Sequence, residues 1–97
     1  MKSIFITYDQ AYQEGVMAIL SKLNIKGYTG WQGVSGCGTN TGEPHLGTHA
    51  WPSLNNAVLT VVEDKKVKTV LDALRELNKT SDLLGLRAFV WTIEDGM

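Results

Sequence analysis

Within thirteen residues the chain places Cys37, Glu43, His45 and His49, four side chains able to ligate a metal. A thiolate with two imidazoles suits Zn²⁺ or Cu²⁺, and a carboxylate can complete the coordination or orient a ligand. His45 and His49 stand four apart, which puts both on one side of "HLGTHAW" if that segment turns helically. Gly47 and Pro52 argue against a long helix there. The spacing matches no standard zinc signature, so Cys37 also reads as a small buried hydrophobe and the histidines as ordinary polar residues.

These four residues belong to a stretch of unusual composition. Gly33 to Pro52, "GVSGCGTNTGEPHLGTHAWP", holds five of the ten glycines, the only cysteine, both histidines and both prolines. Glycine-rich backbone can form nests of N–H groups for an anion, or can simply permit a tight loop. From Gly27 to Val62 the only charged residue is Glu43, so any cation for a phosphate must come from outside the loop. Cys37 with His45 or His49 would make a nucleophile and base, yet no known local signature surrounds them and no paired carboxylates stand nearby. No catalytic residue is assigned, and an enzyme is not expected. Trp31 and Trp51 offer flat faces to an adenine ring or to a partner's side chain, or fill an interface.

The elements that must position these residues make one domain, residues 1–97, since 97 residues close a single core. A composition of 43% hydrophobic and 20% charged residues is that of a globular protein. A net charge of −1 supplies no basic face for nucleic acid. No apolar run reaches the length that spans a bilayer, and "MKSIFITYDQ" is too short in its apolar core for a secretory signal. A cytoplasmic protein with no direct membrane insertion is expected.

"SIFITY" (Ser3 to Tyr8) reads as a buried strand, with Asp9 as the N-cap of a helix carrying Tyr12, Val16, Ile19, Leu20 and Leu23 on one stripe. A glycine-broken strand through Tyr28, Trp31 and Val34 leads into the unusual segment. "NAVLTVVE" (Asn56 to Glu63) is a central strand, and Asp64 is the next expected N-cap. Val67, Val70, Leu71, Leu74 and Leu77 form the strongest helical stripe, and "LRAFVWTI" (Leu86 to Ile93) is the last strand. The order β-α-β-β-α-β predicts an α+β split βαβ fold: a four-stranded antiparallel sheet with two helices on one face. Its other face, including Phe5, Thr7, Leu59 and Val61, is then left bare, so a homo-oligomer is expected.

With this order and a long excursion at about 35–54, the chain resembles the PII signal-transduction superfamily. "GVSGCG" (Gly33 to Gly38) is similar to the glycine–aromatic–glycine entry to that family's T-loop. "NNAVLTVVEDKKVKTVLDALREL" and "LRAFVWTIEDG", with Phe89 and Val90, resemble its third strand with second helix and its last strand. The resemblance implies a ferredoxin-like fold and a homotrimer whose T-loops project at subunit clefts. In "NKTSDLLGLRAFV" Arg87 matches the final basic position of the family's nucleotide-binding B-loop, while its paired glycines are mostly absent. Asn40 stands where the family has a glutamine.

The expected function is a PII-like sensor that takes a small ligand or metal at a subunit cleft and signals through its loop to a protein target. Some PII-like families accompany heavy-metal transport systems, which by analogy suggests a membrane transporter. An adenine nucleotide would be held by Gly36, Cys37, Gly38, Thr39 and Arg87, which would make the chain a PII-type nucleotide-binding regulator. A divalent Zn or Cu ion would be held by Cys37, Glu43, His45 and His49. The alternative from another class is a structural docking module without ligand, using Trp31 and Trp51 against a partner.

Overall fold

Alternation of apolar and polar residues is realised in the computed structural model over Lys2–Asp9 (β1), where Ile4, Ile6 and Tyr8 are fully buried on one face. The structure describes residues 1–37, 44–45, 54–80 and 85–97, and only the backbone at 37, 44 and 45. Asp9 ends β1 and caps a 3₁₀ turn over Gln10–Tyr12, its Oδ1 accepting from the Ala11 N–H at 2.7 Å. Helix α1 follows over Gln13–Lys22 and buries Val16 and Leu20, one turn apart. It stops earlier than Gly27 would suggest. Asn24 takes φ 59°, its N–H donates to Ser21 O at 3.1 Å, and the Ile25 N–H donates to Leu20 O at 2.8 Å. That is a Schellman closure with asparagine in the left-handed position usually held by glycine. Ile25 then turns back into the core.

Strand β2 covers Thr29–Val34, and a short hairpin pairs Gly36–Cys37 (β3) with Pro44–His45 (β4). Strand β5 runs Asn55–Val62, helix α2 Val67–Asn78, and strand β6 Arg87–Thr92. The main sheet has the order β2-β5-β1-β6, antiparallel throughout. Both helices lie on the face of Ile4, Ile6 and Tyr8, where Val58, Val62, Val70, Leu74 and Leu86 complete the core. The ferredoxin-like β-α-β-β-α-β fold is therefore present. Truncating a buried core residue such as Leu74 to alanine costs about 2–5 kcal/mol.

One expected cap is absent. Asp64 begins a 3₁₀ turn over Asp64–Lys66 rather than capping α2, and its Oδ1 accepts from the Met1 ammonium at 2.9 Å. The register explains this, because pairing of Lys2 with Val62 carries the chain's first residue past the end of β5.

The opposite face is uncovered. Phe5 pairs with Leu59 and Phe89, and Ser3 with Val61 and Trp91, so these side chains share that face. Val61 is 44% exposed, Phe89 56% and Trp91 47%, far above what a finished core tolerates. Among the described residues, no helix is long and apolar enough to cross a membrane.

Candidate functional site: a cleft at the loop root

The excursion leaves the sheet at a distortion. Pairing of β2 with β5 shifts register between Trp31 and Val34, and Gly33 within that bulge has φ +68°. A β-carbon there would be strained, which accounts for glycine at this point. The Gly33 N–H donates at 3.1 Å to Oδ1 of Asn56, a residue only 5% exposed. The returning chain is tied separately, where the Gln10 N–H donates to Leu54 O at 3.0 Å. Both roots of the loop are thus fastened to the rigid end of β1 and β5.

Beside these roots lies a cleft of about 200 Å³ lined by Thr7, Val34, Ser35, Gly36, Asn55, Arg87 and Phe89. Sheet register builds it: Arg87 lies opposite Thr7, and Val34 opposite Asn55. Gly36 forms a close wall, since a β-carbon there would overlap the Asn55 side-chain amide. Arg87 is the one formally charged residue among the described lining residues. Its Nη1 donates to Leu86 O at 2.9 Å, which fixes one edge of a guanidinium whose fork carries five donors. A single fixed cation beside glycine backbone is suited to an anionic oxygen such as a phosphate or carboxylate. Phe89 belongs both to this cleft and to the bare apolar face, so the cleft opens at the rim of that face.

The nucleotide-type residues divide in two groups. Gly36 and Arg87, 51 residues apart in sequence, line the same cleft. Gly38 and Thr39 lie outside the described residues, and Cys37 is placed by its backbone. Of the metal-type residues, Glu43 and His49 lie outside the described residues. Backbone pairing sets Gly36 opposite His45 and Cys37 opposite Pro44, so Cys37 and His45 are one rung apart on adjacent strands. Among the described residues no group of three or more potential metal ligands is gathered. Trp31 is 44% exposed and meets Phe5 edge-on, with ring centroids 6.3 Å apart, while Trp51 lies outside the described residues. The side chain of Trp31 therefore extends the bare apolar face and does not line the Arg87 cleft.

Sequence reasoning missed Thr7, Asn55 and Phe89 as cleft residues. A signal for Asn55 and Asn56 was present in the polar pair heading an otherwise apolar strand. The other two follow from the pairing of β1 with β6, which pattern alone does not set.

Comparison with known proteins agrees with this architecture. The family profile described as Nitrogen regulatory protein P-II matches residues 1–97. No curated protein matches the chain. Among solved structures, one similar fold is CPII of Thiomonas intermedia, a nitrogen regulatory PII-like protein, bound to ADP, AMP and bicarbonate. It is 20% identical with a TM-score of 0.76, over 99% of this chain and 92% of that one. The same protein bound to ADP and bicarbonate is 19% identical with a TM-score of 0.75, over 93% and 82%. A PII-like signaling protein of Thermus thermophilus is 19% identical with a TM-score of 0.65, over 93% and 83%. At these identities the likeness carries the fold.

Proposed function

The chain belongs to the nitrogen regulatory protein P-II family, and on that premise we propose that it is a nucleotide-responsive regulator, not an enzyme. It takes an adenine nucleotide in the Gly36–Arg87 cleft and signals through the adjoining loop. The observation that carries this reading is the convergence of Arg87 and the Gly36 backbone on one cleft beside both roots of the loop. The CPII structures with ADP, AMP and bicarbonate support the class of ligand. An arginine fork would take the phosphate.

The active assembly is a homotrimer with the apolar sheet faces turned inward. Phe89, shared by the cleft and that face, supports a site closed by a neighbouring copy. The loop reaches a protein target in the cytoplasm, a membrane transporter being the proposed one. Binding at its roots reshapes a glycine-rich segment, a recognised switching device.

A second reading rests on the four potential ligands within residues 37–49 of the sequence; the one-rung offset of Cys37 from His45 alternates faces and does not itself gather them. In it the loop holds a Zn or Cu ion through Cys37, His45, Glu43 and His49. Thermal melting with ADP, AMP and Zn²⁺, each with and without bicarbonate, separates the two. A nucleotide shift lost in Arg87→Ala supports the first, and a Zn²⁺ shift lost in His45→Ala the second. No shift with any of them, in a stable oligomer, contradicts both.

A further inference from the structure

A second cavity, of about 220 Å³, lies at the outer edge of β2 against α1, and Tyr28, Gly30, Gln32, Gln13, Met17 and Val58 contribute to its lining. It exists because residue 30 has no side chain. A β-carbon at Gly30 would meet the Tyr28 ring at 3.7 Å, so that ring leans over the glycine and leaves space beside it. None of the described lining residues is formally charged, unlike the Arg87 cleft.

The polarity of its hydrogen bonds is set by one backbone donor. The Gly33 N–H can only donate, so Asn56 turns Oδ1 toward it and Nδ2 away. Asn56 Nδ2 donates to Gln13 Oε1 at 2.8 Å, and the Tyr8 hydroxyl donates to the same oxygen at 2.6 Å. With Oε1 held by two donors, the Gln13 amide is fixed in orientation and its Nε2 is the group left to offer hydrogens. Gln32, on the same cavity, carries both a donor and an acceptor.

We propose that this cavity is a second binding site, for a planar uncharged aromatic amide. The ring lies against Tyr28, the carbonyl accepts from Gln13 Nε2, and the amide N–H donates to the Gln32 carbonyl oxygen. A carbonyl on Nε2 polarises the Gln13 amide and strengthens the bond its oxygen receives from Asn56, as linked hydrogen bonds do. Asn56 in turn holds Gly33, so occupancy tightens the outgoing root of the loop. That signalling consequence rests on the loop function proposed above, whereas binding and the response at Gly33 stand without it.

Nicotinamide and benzamide titrated into ¹⁵N-labelled protein are the probes. Saturable shifts are expected at the Gly33 backbone amide and the Asn56 side-chain NH₂, with slower solvent exchange of the Gly33 proton. Gly30→Val fills the cavity on a strand position that accepts β-branched residues, and should abolish these responses. Tyr28→Ala removes an exposed wall without touching the core, and should weaken binding roughly tenfold, the scale of one aromatic stacking contact. The proposal is overturned if neither amide moves the two signals, or if the responses persist undiminished in either variant. A missing ADP shift in the same protein would count against the nucleotide function alone.

Discussion

Gly36 and Asn55 stand so close that a methyl group on residue 36 would overlap the Asn55 side-chain amide. Asn55 is 6% exposed and pairs with Asp9 on β1 and Val34 on β2. The amide would have to shift by rotating its side chain, and the open space beside it is the Arg87 cleft. Gly36→Ala is therefore expected to destabilise the fold by about 1–3 kcal/mol, the usual cost of overpacking, and to narrow the Arg87 cleft. Urea unfolding checks the first effect and ADP affinity the second. Wild-type values for both would show that the wall is softer than the geometry implies.

Asn56 acts on the other side of the same root. Asn56→Leu removes the acceptor of the Gly33 N–H and one of the two donors to Gln13 Oε1, which keeps the Tyr8 hydroxyl. A loss of about 1–3 kcal/mol is expected, with faster amide exchange at Gly33 than at core positions such as Ile6. Unchanged protection at Gly33 would contradict its role as a fastening.

The bare sheet face should control assembly. Trp91→Asp places a charge on a surface shared with Phe5, Phe89 and Val61, where a neighbouring copy would have to desolvate it. Light scattering is expected to show a trimer for the wild type and a monomer for this variant. A wild-type monomer would refute the proposed assembly.

Burial, and secondarily the nearby Tyr28, raise the Tyr8 hydroxyl above its ordinary pKa of 10.0. The folded state thus binds the proton more tightly than the unfolded one. Tyr8 contributes stability that is fully present below pH 10 and is lost as pH rises through the folded value. In Tyr8→Phe the slope of stability against pH above 10 should flatten. An identical slope in wild type and variant would assign the alkaline loss elsewhere.

The helices and central strands were legible because their apolar periodicity records directly which side faces the core, as with Val70 and Leu74. The stop of α1 was less so, since Asn24 substitutes for glycine in a left-handed cap and looks polar and ordinary in sequence. Asp64 misled for a spatial reason: its partner, the Met1 ammonium, comes from the far end of the chain. Two of the seven cleft residues were legible beforehand, Gly36 from the glycine-rich segment and Arg87 from the family resemblance. Thr7 and Phe89 joined them through strand register, which depends on tertiary pairing. Gly30 and Gln13, by contrast, carry no local motif, and only the fold brings them together.

ADP binding at Arg87 is measured directly by isothermal titration calorimetry of the wild type and Arg87→Ala. One ADP per chain is predicted for the wild type. Loss of charge-assisted hydrogen bonds worth about 1.5–3 kcal/mol should weaken the variant roughly ten- to hundredfold. No binding by a properly assembled wild type, or equal affinity in the variant, would contradict the central claim that this cleft reads a nucleotide for the loop.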